Sequence, residues 1–196
     1  IWYRDLLRLW ADKVRLSGSF FMPLLFLVVF GTGIGSSVIG GMGEGDLDYV
    51  TFLYPGIVAM LVLTNSVMAS MSIVWDREFG FLREVLVAPV SRVAVAAGKT
   101  LGGATIALIQ GIVILLFAPL FGIALSPLVV LKLLPIMFLV ACALSAMGVL
   151  LASRIKSIEA HQVVMQFLMF PMVFLSGVFF PVNNLPAWMG VLVKIN

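Results

Sequence analysis

Apolar and polar positions fall into long blocks along this chain. Five stretches, about 17–35, 52–75, 93–121, 129–153 and 161–180, are apolar on nearly every helical face. A helix rising about 1.5 Å per residue needs roughly 20 such residues to cross about 30 Å of hydrocarbon, so each is read as a membrane span. A barrel is excluded by the pattern itself. Barrel strands alternate polarity over about ten residues, whereas 106–120 is apolar throughout with Gln110 as its one strongly polar side chain. The polar connections between blocks are too short for an independent core, so residues 1–196 are expected to form one all-α transmembrane domain.

Two amphipathic elements punctuate the blocks. In 1–16, Tyr3, Leu6, Leu7, Trp10 and Val14 recur at helical spacing, with Arg4, Asp5, Arg8, Asp12 and Arg15 on the other side. Trp and Arg together suit a helix lying at headgroup level. The second element, 76–92, is a charged island between the second and third spans. With Trp75 it holds 6 of the chain's 21 charges. Asp76, Arg77 and Glu78 followed by Phe79, Phe81, Leu82, Val85 and Leu86 predict a short helix with one apolar and one charged side, ended by Pro89. Charge between spans, and not inside them, suggests energy supplied by a partner docking on the island. The tail 181–196 is too short and too broken by Pro181, Asn183, Asn184 and Pro186 to cross, and reads as an outer hairpin with a short helix from about Pro186.

Composition agrees with the blocks. Hydrophobic residues make up 62% and charged residues 11%, with a mean hydropathy of +1.19, far from the roughly 25% charged residues of soluble domains. Lys and Arg set the orientation. With the N-terminus inside, ten of them (Arg4, Arg8, Lys13, Arg15, Arg77, Arg83, Arg92, Lys99, Arg154, Lys156) face the cytoplasm and two (Lys132, Lys194) face out. The expected location is therefore the cell (inner or plasma) membrane, with the N-terminus cytoplasmic. A net charge of +3 then describes attraction to anionic lipid and not a nucleic-acid footprint.

Several chemistries are missing from the sequence. Ion-coupled carriers place ionisable groups within spans, and here Lys99 and Lys132 lie near span ends, where they are expected to snorkel to the interface. His161 is the single histidine and Cys142 the single cysteine, so neither a His-Glu-x-x-His zinc site nor a disulfide can form, and no metal site or catalytic residue is expected. Gly98-Lys99-Thr100 resembles the end of a phosphate-binding loop, but the required first glycine is Val93. The chain is expected to bind no cofactor itself.

The polar groups at membrane depth are uncharged. Among them Asn65, Ser66, Gln110, Gln162 and Gln166 are candidates to line a substrate path, with interhelical hydrogen bonding as the plainer account. Gly98-x-x-x-Gly102 and Ala107-x-x-x-Gly111 offer close approach to the third span, and Pro23, Pro55, Pro119, Pro135 and Pro171 predict kinks or broken ends.

The order of motifs carries a resemblance. Acidic-Arg-Glu-aromatic-Gly at 76–80, Arg83-Glu84, Ala-Pro-Val-Ser-Arg at 88–92, Gly98-Lys99, then Ser-Gly-Val-Phe-Phe-Pro from Ser176 and Leu-Pro-Ala-Trp from Leu185 resemble the membrane subunit of type-two ATP-binding-cassette exporters, the class with daunorubicin-resistance-like and polysaccharide or lipid export permeases. The resemblance implies a half-transporter that pairs with a second permease subunit, identical or different, above two separate ATPase subunits that bind ATP and Mg. The island becomes a coupling helix, with Asp76, Arg77, Glu78, Phe79, Gly80, Phe81, Leu82, Arg83 and Glu84 at the ATPase. The cargo would be amphipathic: drug-like, lipid or glycan. The resemblance also implies a sixth span after the outer hairpin, beyond the present C-terminus. Against this stand a secondary carrier or channel, and a membrane-embedded enzyme or assembly factor.

Overall fold

The computed structural model describes residues 1–33, 49–80, 91–155, 157–176, 190–191 and 193. Seven α-helices are described at length: α1 Trp2–Ala11, α2 Lys13–Gly33, α3 Tyr49–Met68, α4 Met71–Glu78, α5 Arg92–Leu116, α6 Pro127–Arg154 and α7 Ile158–Leu175, with a 3-10 turn at Ala118–Phe121 after α5. Four stretches, Val50–Glu78, Arg92–Leu116, Pro127–Arg154 and Ile158–Leu175, are long and apolar enough to cross a bilayer, and Leu16–Val29 is a shorter apolar helix. No strand occurs among the described residues. The protein is an all-α polytopic membrane protein.

Helix starts follow local chemistry. The Ser91 hydroxyl accepts from the Ala94 N–H at the head of α5, and Ser157 does the same for Ala160 at the head of α7. Each cap satisfies a backbone donor that the first turn leaves without a partner. The helices run through Pro23, Pro55, Pro135 and Pro171. The main break lies elsewhere, at Ala69–Ser70 between α3 and α4, where the Ser70 N–H turns to the Val67 carbonyl. The Ser66 carbonyl, bypassed there, accepts instead from the Ser145 hydroxyl of α6 at 3.1 Å.

The core lies where α2, α3, α5 and α6 meet, around Leu27, Leu53, Ile57, Ala107, Ile114 and Ala141. Small residues set the approach. A methyl group on Gly103 of α5 would sit 2.7 Å from the Ala69 methyl and 2.8 Å from the Ser145 hydroxyl, so the helix break is packed directly against α5 and α6. Gly98 and Gly102 instead receive α1, with Ile1 and Asp5 each 3.4 Å from where their Cβ would lie. The outward side chains of α6 and α7, among them Leu131, Leu139, Phe167 and Phe170, are exposed and apolar, as lipid contact requires.

Three expectations change here. The span expected to end at Trp75 continues through α4 to Glu78, so Asp76 and Arg77 belong to the bundle and not to a separate island helix. Gly80, at φ 80°, takes a left-handed turn that costs glycine little and halts the helix. Lys99, expected to snorkel, is 5% exposed. It lies two turns inside α5 beneath α1, so its ammonium meets carboxylates before it can reach water. The expected helix across 81–89 and the outer hairpin lie largely outside the described residues.

Candidate functional site: a buried charge cluster at the α1 end of the bundle

Five ionisable side chains from three sequence regions converge at one end of the bundle. Asp76 of α4 is 5% exposed. Its Oδ2 lies 2.8 Å from Lys99 Nζ of α5 and 2.8 Å from Arg4 Nη2 of α1, and its Oδ1 lies 3.6 Å from Arg8 Nη1. Asp5 of α1 closes the ring, 3.3 Å from both Lys99 Nζ and Arg4 Nη2. Lys99 also donates to the Ser72 hydroxyl at 2.9 Å, which donates onward to the Ala69 carbonyl at the helix break. Among the described residues, three bases thus meet two carboxylates.

The helical periodicity of α1 explains half of this assembly. Tyr3, Leu7 and Trp10 are exposed on one side, while Asp5 and Leu9 are buried on the other. Part of the charged side faces the bundle, because buried Asp76 and Lys99 present opposite charges there. The Trp2 indole N–H donates to Thr105 Oγ1 at 3.1 Å and fixes the start of α1 along α5.

Arg77 is placed by a different interaction. Its guanidinium donates to the carbonyls of Ile155 at 2.8 Å and Ser153 at 3.2 Å, so it caps the C-terminus of α6, where carbonyls lack helical partners and the dipole favours a cation. Of the expected coupling residues, Glu78 and Phe79 are exposed, Phe79 at 81%. Asp76 and Arg77 are therefore tied into the bundle, while the next two residues are free to meet another surface. Phe81, Leu82, Arg83 and Glu84 lie outside the described residues.

The substrate-path candidates are not brought together within one chain. Asn65 and Gln110 border a common cavity. Ser66 is fully buried and gives its hydroxyl proton to the Val62 carbonyl. Gln162 and Gln166 are exposed on the outer side of α7. A second polar node lies beside the helix break. The Ser70 hydroxyl donates to the Val67 carbonyl, so its oxygen accepts from Nε2–H of buried His161 at 3.0 Å. Among the described residues, no group of His, Cys, Asp or Glu is arranged to hold a metal ion.

Sequence reasoning missed Asp5, Lys99 and His161 as members of these nodes. For Lys99 a signal existed: an ionisable residue within a span asks for a named partner, and the preceding helix offers two acids, Asp76 and Glu78.

The comparisons with known proteins agree with the helical architecture. The family model described as ABC-2 type transporter matches residues 1–196. The inner membrane transport permease YadH of Escherichia coli strain K12 is 30% identical over 97% of this chain and 74% of its own length. The transport permease ycf38 of Cyanophora paradoxa is 28% identical over 98% of this chain and 67% of its own. A protein named multidrug ABC transporter permease YbhR, also of strain K12, is 27% identical over 77% of this chain and 41% of its own. No solved structure gives a significant match. With the family model covering every residue of a bundle built from apolar helices, this chain belongs to the ABC-2 type transporter family of membrane permeases.

Proposed function

We propose that this protein is the membrane subunit of an ATP-binding-cassette exporter, that a separate ATPase supplies the energy, and that the segment following α4 receives it. Family membership supports the transport role. The observation that carries the coupling role is the anchoring of α4: Asp76 ties it to α1 and α5, and Arg77 ties it to the end of α6. A push delivered at exposed Glu78 and Phe79 reaches α1, α5 and α6 through the Asp76 ion pairs and the Arg77 cap. An isolated surface ion pair, worth about 0–1 kcal/mol, would yield to such a push. Removing one partner from a buried pair costs about 3–5 kcal/mol, so the buried cluster moves as a unit.

In this reading the cluster lies at the cytoplasmic face, consistent with the ten-to-two distribution of Lys and Arg. A second permease subunit would complete the conduit and bring exposed Gln162 and Gln166 opposite a partner helix. The cargo is amphipathic. The name of the YbhR relative makes drug-like compounds the first class to assay. Chemistry on the cargo is not part of the reading; ATP and Mg belong to the partner.

The test is reconstitution of the permease with its ATPase in proteoliposomes. Export that requires ATP and fails with a hydrolysis-deficient ATPase is the expected result. Transport by the permease alone, driven by an ion gradient, would refute it and favour the carrier reading, for which Asp5 and Asp76 would be the acidic groups to examine.

A further inference from the structure

We infer that a polar cavity between α1, α3, α4 and α5 is a bound-water site that hydrates one side of the charge cluster. This goes beyond the export reading and does not depend on it. The cavity offers about 70 Å³ of space, opens beside exposed Arg8 and Trp75, and is bordered inside by Asp5, Asn65, Ser72 and Gln110.

Hydrogen-bond bookkeeping at Gln110 points to the occupant. This side chain is 2% exposed. Its Nε2 lies 3.0 Å from Ser19 Oγ, and that hydroxyl gives its single proton to the Leu16 carbonyl at 2.7 Å. Ser19 can therefore only accept from Gln110, which fixes the amide with its nitrogen toward Ser19. Oε1 is then a buried acceptor for which no donor exists among the described protein groups. A buried amide oxygen in such a position calls for a donor that the described residues do not supply.

The lining selects water. A water needs two to four polar partners, which Gln110, Asn65, Ser72 and Asp5 supply. A cation is disfavoured because Arg8 lies on the cavity wall and Asp5 is already held by Lys99. Water held here hydrogen-bonds Asp5 and Ser72 at the edge of the cluster, while buried Asp76 and Lys99 do not border the cavity.

The experiment is X-ray hydroxyl-radical footprinting of the full permease, with its ATPase, in lipid nanodiscs made up in ¹⁸O-labelled water. Bound water oxidises the side chains beside it; half-buried Ile106 borders the cavity and Ile57, 1% exposed in the dry core, sets the floor, so the water is read from the change in Ile106 when Gln110 is altered. Ile106 should be labelled severalfold faster than Ile57. Gln110→Leu should bring Ile106 down to the Ile57 rate, and Gln110→Glu, which keeps an acceptor, should preserve the labelling. Equal rates for the two residues in the unaltered protein would overturn the proposal even if Gln110→Leu failed to fold. Labelling of Ile106 that is unchanged in a folded Gln110→Leu protein would overturn it as well.

Discussion

Replacing Asp76 with alanine tests the cluster most directly. Lys99 is 5% exposed and holds Asp76 at 2.8 Å and Asp5 at 3.3 Å, so the substitution strips the ammonium of its closer counter-charge without giving it a path to water. Leaving a buried charge uncompensated costs about 3–5 kcal/mol, and the remaining Asp5 contact places this case near the lower value of about 3 kcal/mol. For a chain of this size that corresponds to a fall in melting temperature of about 6–12 °C. The assay is thermal unfolding of the purified permease followed by tryptophan fluorescence, with Lys99→Met and the Asp76→Ala/Lys99→Met pair alongside. Removing both partners removes both desolvation costs, so the pair should be more stable than either single variant. A melting temperature unchanged in Asp76→Ala, or a pair that is simply additive, would refute the idea that these charges bind each other in the folded protein.

Gly103→Ala should destabilise the protein by about 1–3 kcal/mol, because its methyl would strike Ala69 and Ser145, whereas Gly18→Ala, with nothing within 4 Å, should not; parallel melting curves decide. His161→Ala should cost about 1–3 kcal/mol through the lost bond to Ser70, and equal melting temperatures would show that the node contributes nothing. On the coupling reading, Glu78→Ala with Glu84→Ala should leave membrane insertion intact while separating ATP turnover from export; a double variant that exports normally would remove that role. Cysteines introduced at Ser37 and Ser91 should react with an impermeant thiol reagent from outside and only from inside, respectively, and the reverse pattern would invert the proposed orientation.

The sequence by itself determined the class and the main helices. Apolar runs of membrane length leave the backbone only itself to bond with, and a helix meets that demand locally, so α5 at Arg92–Leu116 lies where the pattern expects a span over 93–121. The amphipathic period of α1 was equally legible. Which way its charged side faces was not, since periodicity separates two faces without saying what each meets. The same limit hid the cluster: Arg4 and Asp76 are 72 positions apart, and Asp5 and Lys99 are 94. Their pairing depends on α1 lying across Gly98 and Gly102 and on α3 breaking at Ala69–Ser70 against Gly103, approaches set by the shapes of three helices together. Only the tertiary structure could therefore turn Asp76 from an exposed docking residue into a buried anchor, because burial is a property of what surrounds a side chain and not of the side chain.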